Sequence, residues 1–264
     1  MTSRVASLAH WYGEHGRHGL AWRQSQDHWS ILVSEVMLAQ TQVSRVELVW
    51  PGFIAQFPTP AAMAKASPGS VIAAWGRLGY PRRARRLWEA ACLIDANGWP
   101  TDYRTLPGVG PYTAGALAAQ ADDDPDAVGI DVNIRRVVQR VGGSLVRDKD
   151  AGAAAVDIAR PLVGRDRLLA LMDLGAQVCT PKSPSCDECP LRLRCVTRGP
   201  LVGEGTKPQA RYEGSLRQRR GDVLRVLRET PTAAAGDFDA SVLQSLLDDH
   251  LVRIDGRVVR LATD

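Results

Sequence analysis

The run Leu106-Pro107-Gly108-Val109-Gly110-Pro111-Tyr112-Thr113-Ala114 constrains this 264-residue chain more than any other stretch. Residues 82–97 before it carry Ala84, Leu87, Trp88, Ala91 and Ile94 at three-to-four spacing, which predicts an amphipathic helix. Residues 111–120 after it are alanine-rich and open with a proline, a favoured first helical residue. Gly108 and Gly110 permit positive φ and close backbone approach. The pattern predicts two helices joined by a glycine turn. Successive N–H groups ahead of a helix N-terminus form an anion site. A nucleic-acid phosphate suits such a site because it demands no particular base. A tight helix–helix turn with no ligand is the alternative, and the turn alone does not separate the two.

Hydrophobic residues make up 45% and charged residues 23% of the chain, the ordinary balance of a globular protein with a real core. A net charge of +4 is compatible with nucleic acid but does not by itself argue for it. Charge breaks every apolar run well before the length of a membrane span. Met1-Thr2-Ser3-Arg4 opens no apolar signal core, so a cytoplasmic location without a membrane partner is expected.

Four local patterns carry chemistry. In Ile31-Leu32-Val33-Ser34-Glu35-Val36-Met37-Leu38, Glu35 has apolar neighbours on both sides. It lies either on the one solvated face of a helix or in the interior, and burial would raise its pKa toward neutrality. Trp75-Gly76-Arg77-Leu78-Gly79-Tyr80-Pro81 reads as a turn followed by the arginine-dense start of the 82–97 helix. Its apolar side chains serve either as core or, on a protruding turn, as a wedge for a base step. Asp131 stands ahead of the helix that begins near Asn133 and is a candidate N-cap. Cys179, Cys186, Cys189 and Cys195, spaced C-x6-C-x2-C-x5-C, favour a metal over disulfides in a reducing compartment. Structural zinc prefers two paired knuckles, and only one C-x2-C is present.

Taken together, L-P-G-V-G-P-Y-T-A, the S-E-V-M-L-A-Q-T-Q-V stretch, I-D-V-N-I-R-R-V and the four cysteines resemble the helix-hairpin-helix DNA glycosylase superfamily. Within it the chain is most similar to the adenine DNA glycosylases of the MutY type, from about Trp22 to Cys195. The resemblance implies a mainly α, two-domain helix-hairpin-helix glycosylase fold with a 4Fe–4S loop. It implies an iron–sulfur domain from residues 1–27 and 134–198, and a six-helix barrel domain over 28–133. Residues 199–215 read as a linker. Residues 216–264, two helices and an Asp-Gly hairpin, read as a small independent winged-helix-like tail. The family's usual domain for sensing 8-oxoguanine is much longer than this tail.

The implied activity is monofunctional base excision: hydrolysis of the N-glycosidic bond of adenine mispaired with 8-oxoguanine or guanine. The implied catalytic residues are Glu35 as acid, Asp131 as the carboxylate facing the sugar cation, and Tyr112 fixing their geometry. Relatives that also cut the strand carry a lysine where Tyr112 stands. Gln40, Thr41, Leu78, Tyr80, Gly108, Gly110 and Arg23 are the implied DNA-binding residues, and Cys179, Cys186, Cys189 and Cys195 the cluster ligands. The expected partner is mismatched double-stranded DNA, engaged by a nucleoid-associated monomer. A thymine or uracil glycosylase acting on G mispairs and a non-enzymatic iron–sulfur DNA-binding protein are the alternatives. Glu35 with Q-T-Q-V favours adenine over the first, and the two retained carboxylates argue against the second.

Overall fold

The computed structural model describes residues 7–205 and 210–263. The described chain is mainly helical. Its helices are α1 (Leu8–His15), α2 (His28–Leu38), α3 (Val43–Gln56), α4 (Pro60–Ala64), α5 (Pro68–Trp75), α6 (Arg82–Asn97), α7 (Pro111–Gln120), α8 (Val132–Gly142), α9 (Asp148–Ile158), α10 (Gly164–Gln177), α11 (Leu216–Glu229) and α12 (Ala240–Asp248). Three strands, β1 (Ala233–Ala234), β2 (Val252–Asp255) and β3 (Val258–Leu261), lie near the C-terminal end. Among the described residues no helix is long and apolar enough to cross a membrane.

Contacts divide the chain into two compact units. One is Met1–Ile31 with Gly110–Lys207, the other Leu32–Val109 with Pro208–Asp264. The sequence-based boundaries fall instead at 27 and 133, so the 110–133 segment packs with the cysteine-bearing part of the chain.

In the first unit α10 is the central element. Leu168, Leu171 and Leu174 are fully buried along it, and α1, α7 and α8 pack around it. The facing stripe of α8 is Ile134, Val137 and Val138, at the spacing of one helical face. In the second unit α6 follows the predicted pattern. Ala84, Leu87, Ala91 and Ile94 are buried, and α4 and α5 pack against that face. The helix stops at Gly98, whose φ of 76° suits a residue without Cβ.

The tail departs from its expected independence. Its sheet has the order β1-β3-β2, all antiparallel, with Val252 opposite Leu261 and Asp255 opposite Val258. That register puts Gly256 (φ 62°) and Arg257 in the two-residue loop, with glycine at the first central position of a primed turn. The sheet is not free-standing. Gly69 N–H donates to the Ala262 carbonyl at 2.7 Å, β3 packs on α5, and Arg82 pairs with Asp249 at 3.2 Å.

Candidate active-site residues and the cysteine pocket

Helix α2 is hydrophobic almost all round: Trp29, Ile31, Leu32, Val33, Val36 and Met37 are all buried. A helix of that composition has no solvated face to offer a carboxyl. Glu35 accordingly sits at 4% exposure, the interior placement rather than the surface one. Immediately beyond the helix, Gln40 is exposed and adopts φ 60°, and Thr41 donates its hydroxyl to the Leu78 carbonyl at 3.2 Å. The structure thus brings Gln40, Thr41, Leu78 and Tyr80 to one place in the second unit.

Leu78 differs from expectation. As a wedge it should project from the turn, yet it is 3% exposed, its side chain folded inward. Trp75 Nε1 donates to the Gly79 carbonyl at 3.0 Å, which ties the Leu-Gly-Tyr turn back to the end of α5. Tyr80 is half-buried with φ 48° and accepts a hydrogen bond from Arg217 of the tail at 3.2 Å.

The hairpin turn forms as the glycines predict. Gly108 takes φ 83°, where a Cβ would also crowd Arg86. Val109 N–H donates to the Leu106 carbonyl at 3.1 Å, and α7 begins at Pro111 with Gly110 as N-cap.

In the first unit, residues 128–130 lie directly on the opening turns of α7. A Cβ on Gly129 would stand 2.6 Å from the Tyr112 carbonyl oxygen, so only glycine permits this approach. Tyr112 donates its hydroxyl to Met172 Sδ at 3.6 Å. Asp131 follows at once and caps α8. Its Oδ1 accepts from Ile134 N–H at 2.7 Å and its Oδ2 from Asn133 Nδ2 at 2.8 Å. Burial pushes the Asp131 carboxyl up from its ordinary value. The Ile134 and Asn133 hydrogen bonds and the nearby Arg136 charge oppose that rise. Arg136 in turn donates to Asn133 Oδ1 at 2.7 Å and to the carbonyls of Gly175 and Cys179, both at 2.6 Å.

Arg23 is held from inside the first unit: its side chain is 6% exposed and paired with Asp173 at 2.7 Å. Asp173 is wholly buried and also holds Arg17 at 2.6 Å. Burial alone would raise its carboxyl; the Arg23 and Arg17 hydrogen bonds and charges bring it below the usual carboxylate range. Sequence reading could not foresee this pair because the acid partner is far away in the chain. It also read Arg83 only as part of an arginine-dense run, a solvated face or a source of phosphate contacts, and gave Asn133 and Arg136 no role of their own. The one available signal was an Asn two residues after a capping Asp.

The four cysteines converge. Cys179, Cys186, Cys189 and Cys195 are free thiols lining one pocket, walled by Val137, Leu174 and Leu191. Burial pushes the Cys189 thiol up to about 11, and Cys179, Cys195 and Cys186 each add to the rise. Arg140, 1% exposed, donates to Cys179 Sγ at 3.4 Å and to the Thr180 and Pro181 carbonyls at 2.8 and 2.9 Å. Among the described residues, no three His, Cys, Asp or Glu side chains are grouped so as to hold a metal ion.

Residues 33–156 match the family of HhH-GPD superfamily base excision DNA repair proteins. The chain is 43% identical to the adenine DNA glycosylase of Mycolicibacterium smegmatis, an alignment covering 97% of this chain and 96% of that protein. It is 37% identical to the Homo sapiens adenine DNA glycosylase over 81% of this chain and 43% of that one. Among solved structures, a thermostable thymine-DNA glycosylase superposes with a TM-score of 0.67 at 25% identity, over 74% of this chain and 94% of that one. The chain therefore belongs to the HhH-GPD superfamily of base excision DNA repair proteins and, within it, to the adenine DNA glycosylases.

Proposed function

We propose that this glycosylase acts as a monomer on mismatched double-stranded DNA and hydrolyses the N-glycosidic bond of adenine opposite 8-oxoguanine or guanine, without cutting the strand. The 43% identity to a named adenine DNA glycosylase over nearly the whole chain carries the reading. The thymine/uracil-DNA glycosylase of Pyrobaculum aerophilum is the weaker relative, at 34% identity over 70% of the chain.

The target nucleoside must leave the stack, because its glycosidic bond is unreachable inside the duplex. Glu35, buried on α2, donates its proton to adenine N7. The C1′–N9 bond then breaks, adenine departs neutral, and the sugar becomes oxocarbenium-like. Asp131 as carboxylate stabilises that cation until water adds at C1′ and gives its proton back to the Glu35 carboxylate, as paired carboxylates do in glycoside hydrolysis. Tyr112 positions the reacting groups and, having no amine, forms no Schiff base with the opened sugar. Gln40, Thr41 and Tyr80 contact the opened stack, and the 108–110 turn takes a backbone phosphate.

The same reading gives Cys179, Cys186, Cys189 and Cys195 a 4Fe–4S cluster to hold. The donor set matches in kind and number, since four free thiols line a single pocket and Cys₄ is the ligand number of that cluster, although the side chains are not drawn together as ligands in the described residues. When bound, the cluster supplies a rigid cross-link for a loop that offers Lys182 to phosphate, while Arg192 and Arg194 pair with Asp187 at 3.1 Å and Asp157 at 2.9 Å.

Single-turnover assays on duplexes with A, T or U opposite 8-oxoguanine or G test the reading. Adenine release should dominate, with nicks appearing only after alkali. Faster release of T or U would assign the thymine/uracil activity instead. A borohydride-trapped covalent adduct would overturn the monofunctional assignment.

A further inference from the structure

Arg83, in the first turn of α6, makes contacts unlike those of a surface arginine. Its Nη1 donates to the carbonyls of Val36 at 2.7 Å, Met37 at 3.0 Å and Ala39 at 2.5 Å. Its Nη2 donates to Thr41 Oγ1 at 2.9 Å and to the carbonyls of Leu78 at 3.4 Å and Gly79 at 3.1 Å. The guanidinium lies 5.2 Å from the Trp75 ring centre and 5.4 Å from that of Tyr80. Among the described residues it has no carboxylate partner, and its Nε is buried without a hydrogen bond. Burial lowers its pKa to about 10.

A helix C-terminus leaves its last carbonyls without intrahelical partners, and a glycine in the left-handed region commonly closes it. Here α2 is closed differently. The left-handed position belongs to Gln40, and the orphan carbonyls turn to a guanidinium on another helix. The other arm of that guanidinium grips a second turn that also ends in a left-handed non-glycine residue, Tyr80. Burying a cation among carbonyls is a costly way merely to cap a helix. The arrangement gains something else, since one rigid planar fork sets the position of two segments at once.

We propose that Arg83 is a positioning residue. It locks the Gln40–Thr41 and Leu78–Tyr80 segments to the end of the helix bearing Glu35, so that the acid and the groups entering the stack share one frame. This rests on the functional reading above, and it adds a residue that touches neither base nor sugar.

The test uses full-length Arg83→Lys, Thr41→Val and the double variant. Lysine keeps the charge and loses the fork. Amide hydrogen exchange should accelerate in residues 39–41 and 78–80 together in Arg83→Lys. Single-turnover adenine excision per folded molecule should fall by about tenfold or more, as expected when reacting groups are misplaced. Thr41→Val should lose less in the same direction, and the double variant should be no worse than Arg83→Lys alone. Acceleration confined to one segment, or an unchanged rate per folded molecule, would overturn the proposal. If Arg83→Lys does not fold, Thr41→Val decides by the same two measurements. A wild-type chain that excises no adenine would defeat the functional reading, and the exchange pattern would still decide the role of Arg83.

Discussion

Glu35 and Asp131 are both withdrawn from bulk water, and what each contributes is testable. Glu35 is 4% exposed on a buried helix, and Asp131 is half-buried and accepts an N–H from each of two residues. Burial raises the Asp131 carboxyl, and the hydrogen bonds from Ile134 and Asn133 hold that rise back because they favour the charged form. If the carboxylate is what faces the sugar cation, excision gains an acid limb: activity is lost as pH falls through the raised Asp131 pKa. Asn133→Ala removes one of the bonds that favour the charge, so the pKa climbs further and the limb moves to higher pH. Asp131→Asn and Glu35→Gln each should lower single-turnover excision by about 10²- to 10⁴-fold, the usual range for acid–base groups. A purely capping Asp131 predicts otherwise. Asparagine is as good an N-cap, so that variant would keep both its stability and its rate. Single-turnover rates across pH for the wild type and these three variants separate the two accounts.

At the scale of elements, the tail is a docked part of the second unit. A phosphate-binding module would keep its arginines free, yet Arg219 pairs with Asp239 at 3.2 Å, Arg253 with Asp255 at 2.8 Å, and Arg220 with Asp249. What the tail does reach is Tyr80, through Arg217. The tightest point of the dock is Gly69, at the start of α5. A Cβ there would stand 2.5 Å from the Ala262 carbonyl oxygen, and that carbonyl already accepts the Gly69 N–H. Gly69→Ala should therefore push β3 off α5, at about 1–3 kcal/mol for an overpacked contact. The expected signs are a lower unfolding midpoint and faster proteolysis in the 199–215 linker, with discrimination between opposite bases weakened more than the rate of chemistry. Unchanged proteolysis and stability in Gly69→Ala would mean that other contacts hold the tail.

Across the whole molecule, what is legible in the sequence follows the reach of the interactions involved. The bounds of α6 and α7, the turn at Gly108, the cap at Asp131 and the hairpin at Gly256 all depend on residues a few positions apart, and all were readable. Arg23 with Asp173, Arg83 with the end of α2, and Gly69 with Ala262 are partnerships across long stretches of chain. Backbone carbonyls, the acceptors for Arg83, leave no mark on composition at all. The cysteines lie between these extremes, since their spacing is local but their convergence depends on the packing of two helices. Cys179 follows α10, while residues after Cys195 pair with the end of α8, Val196 N–H donating to the Val141 carbonyl at 3.1 Å and Thr197 N–H to that of Arg140 at 3.2 Å. A metal centre joining these points closes a loop, and its binding energy becomes folding energy. The purified protein should then be brown and hold about four irons per chain. Cys189→Ser should lose iron and, with it, the hydrogen-exchange protection of residues 196–197, while α6 on the other unit stays protected. Metal analysis that finds one zinc and no iron would reject the cluster but keep the pocket as a metal site. Neither metal, with full protection at 196–197, would mean that Arg140 and its carbonyl partners hold this loop without one.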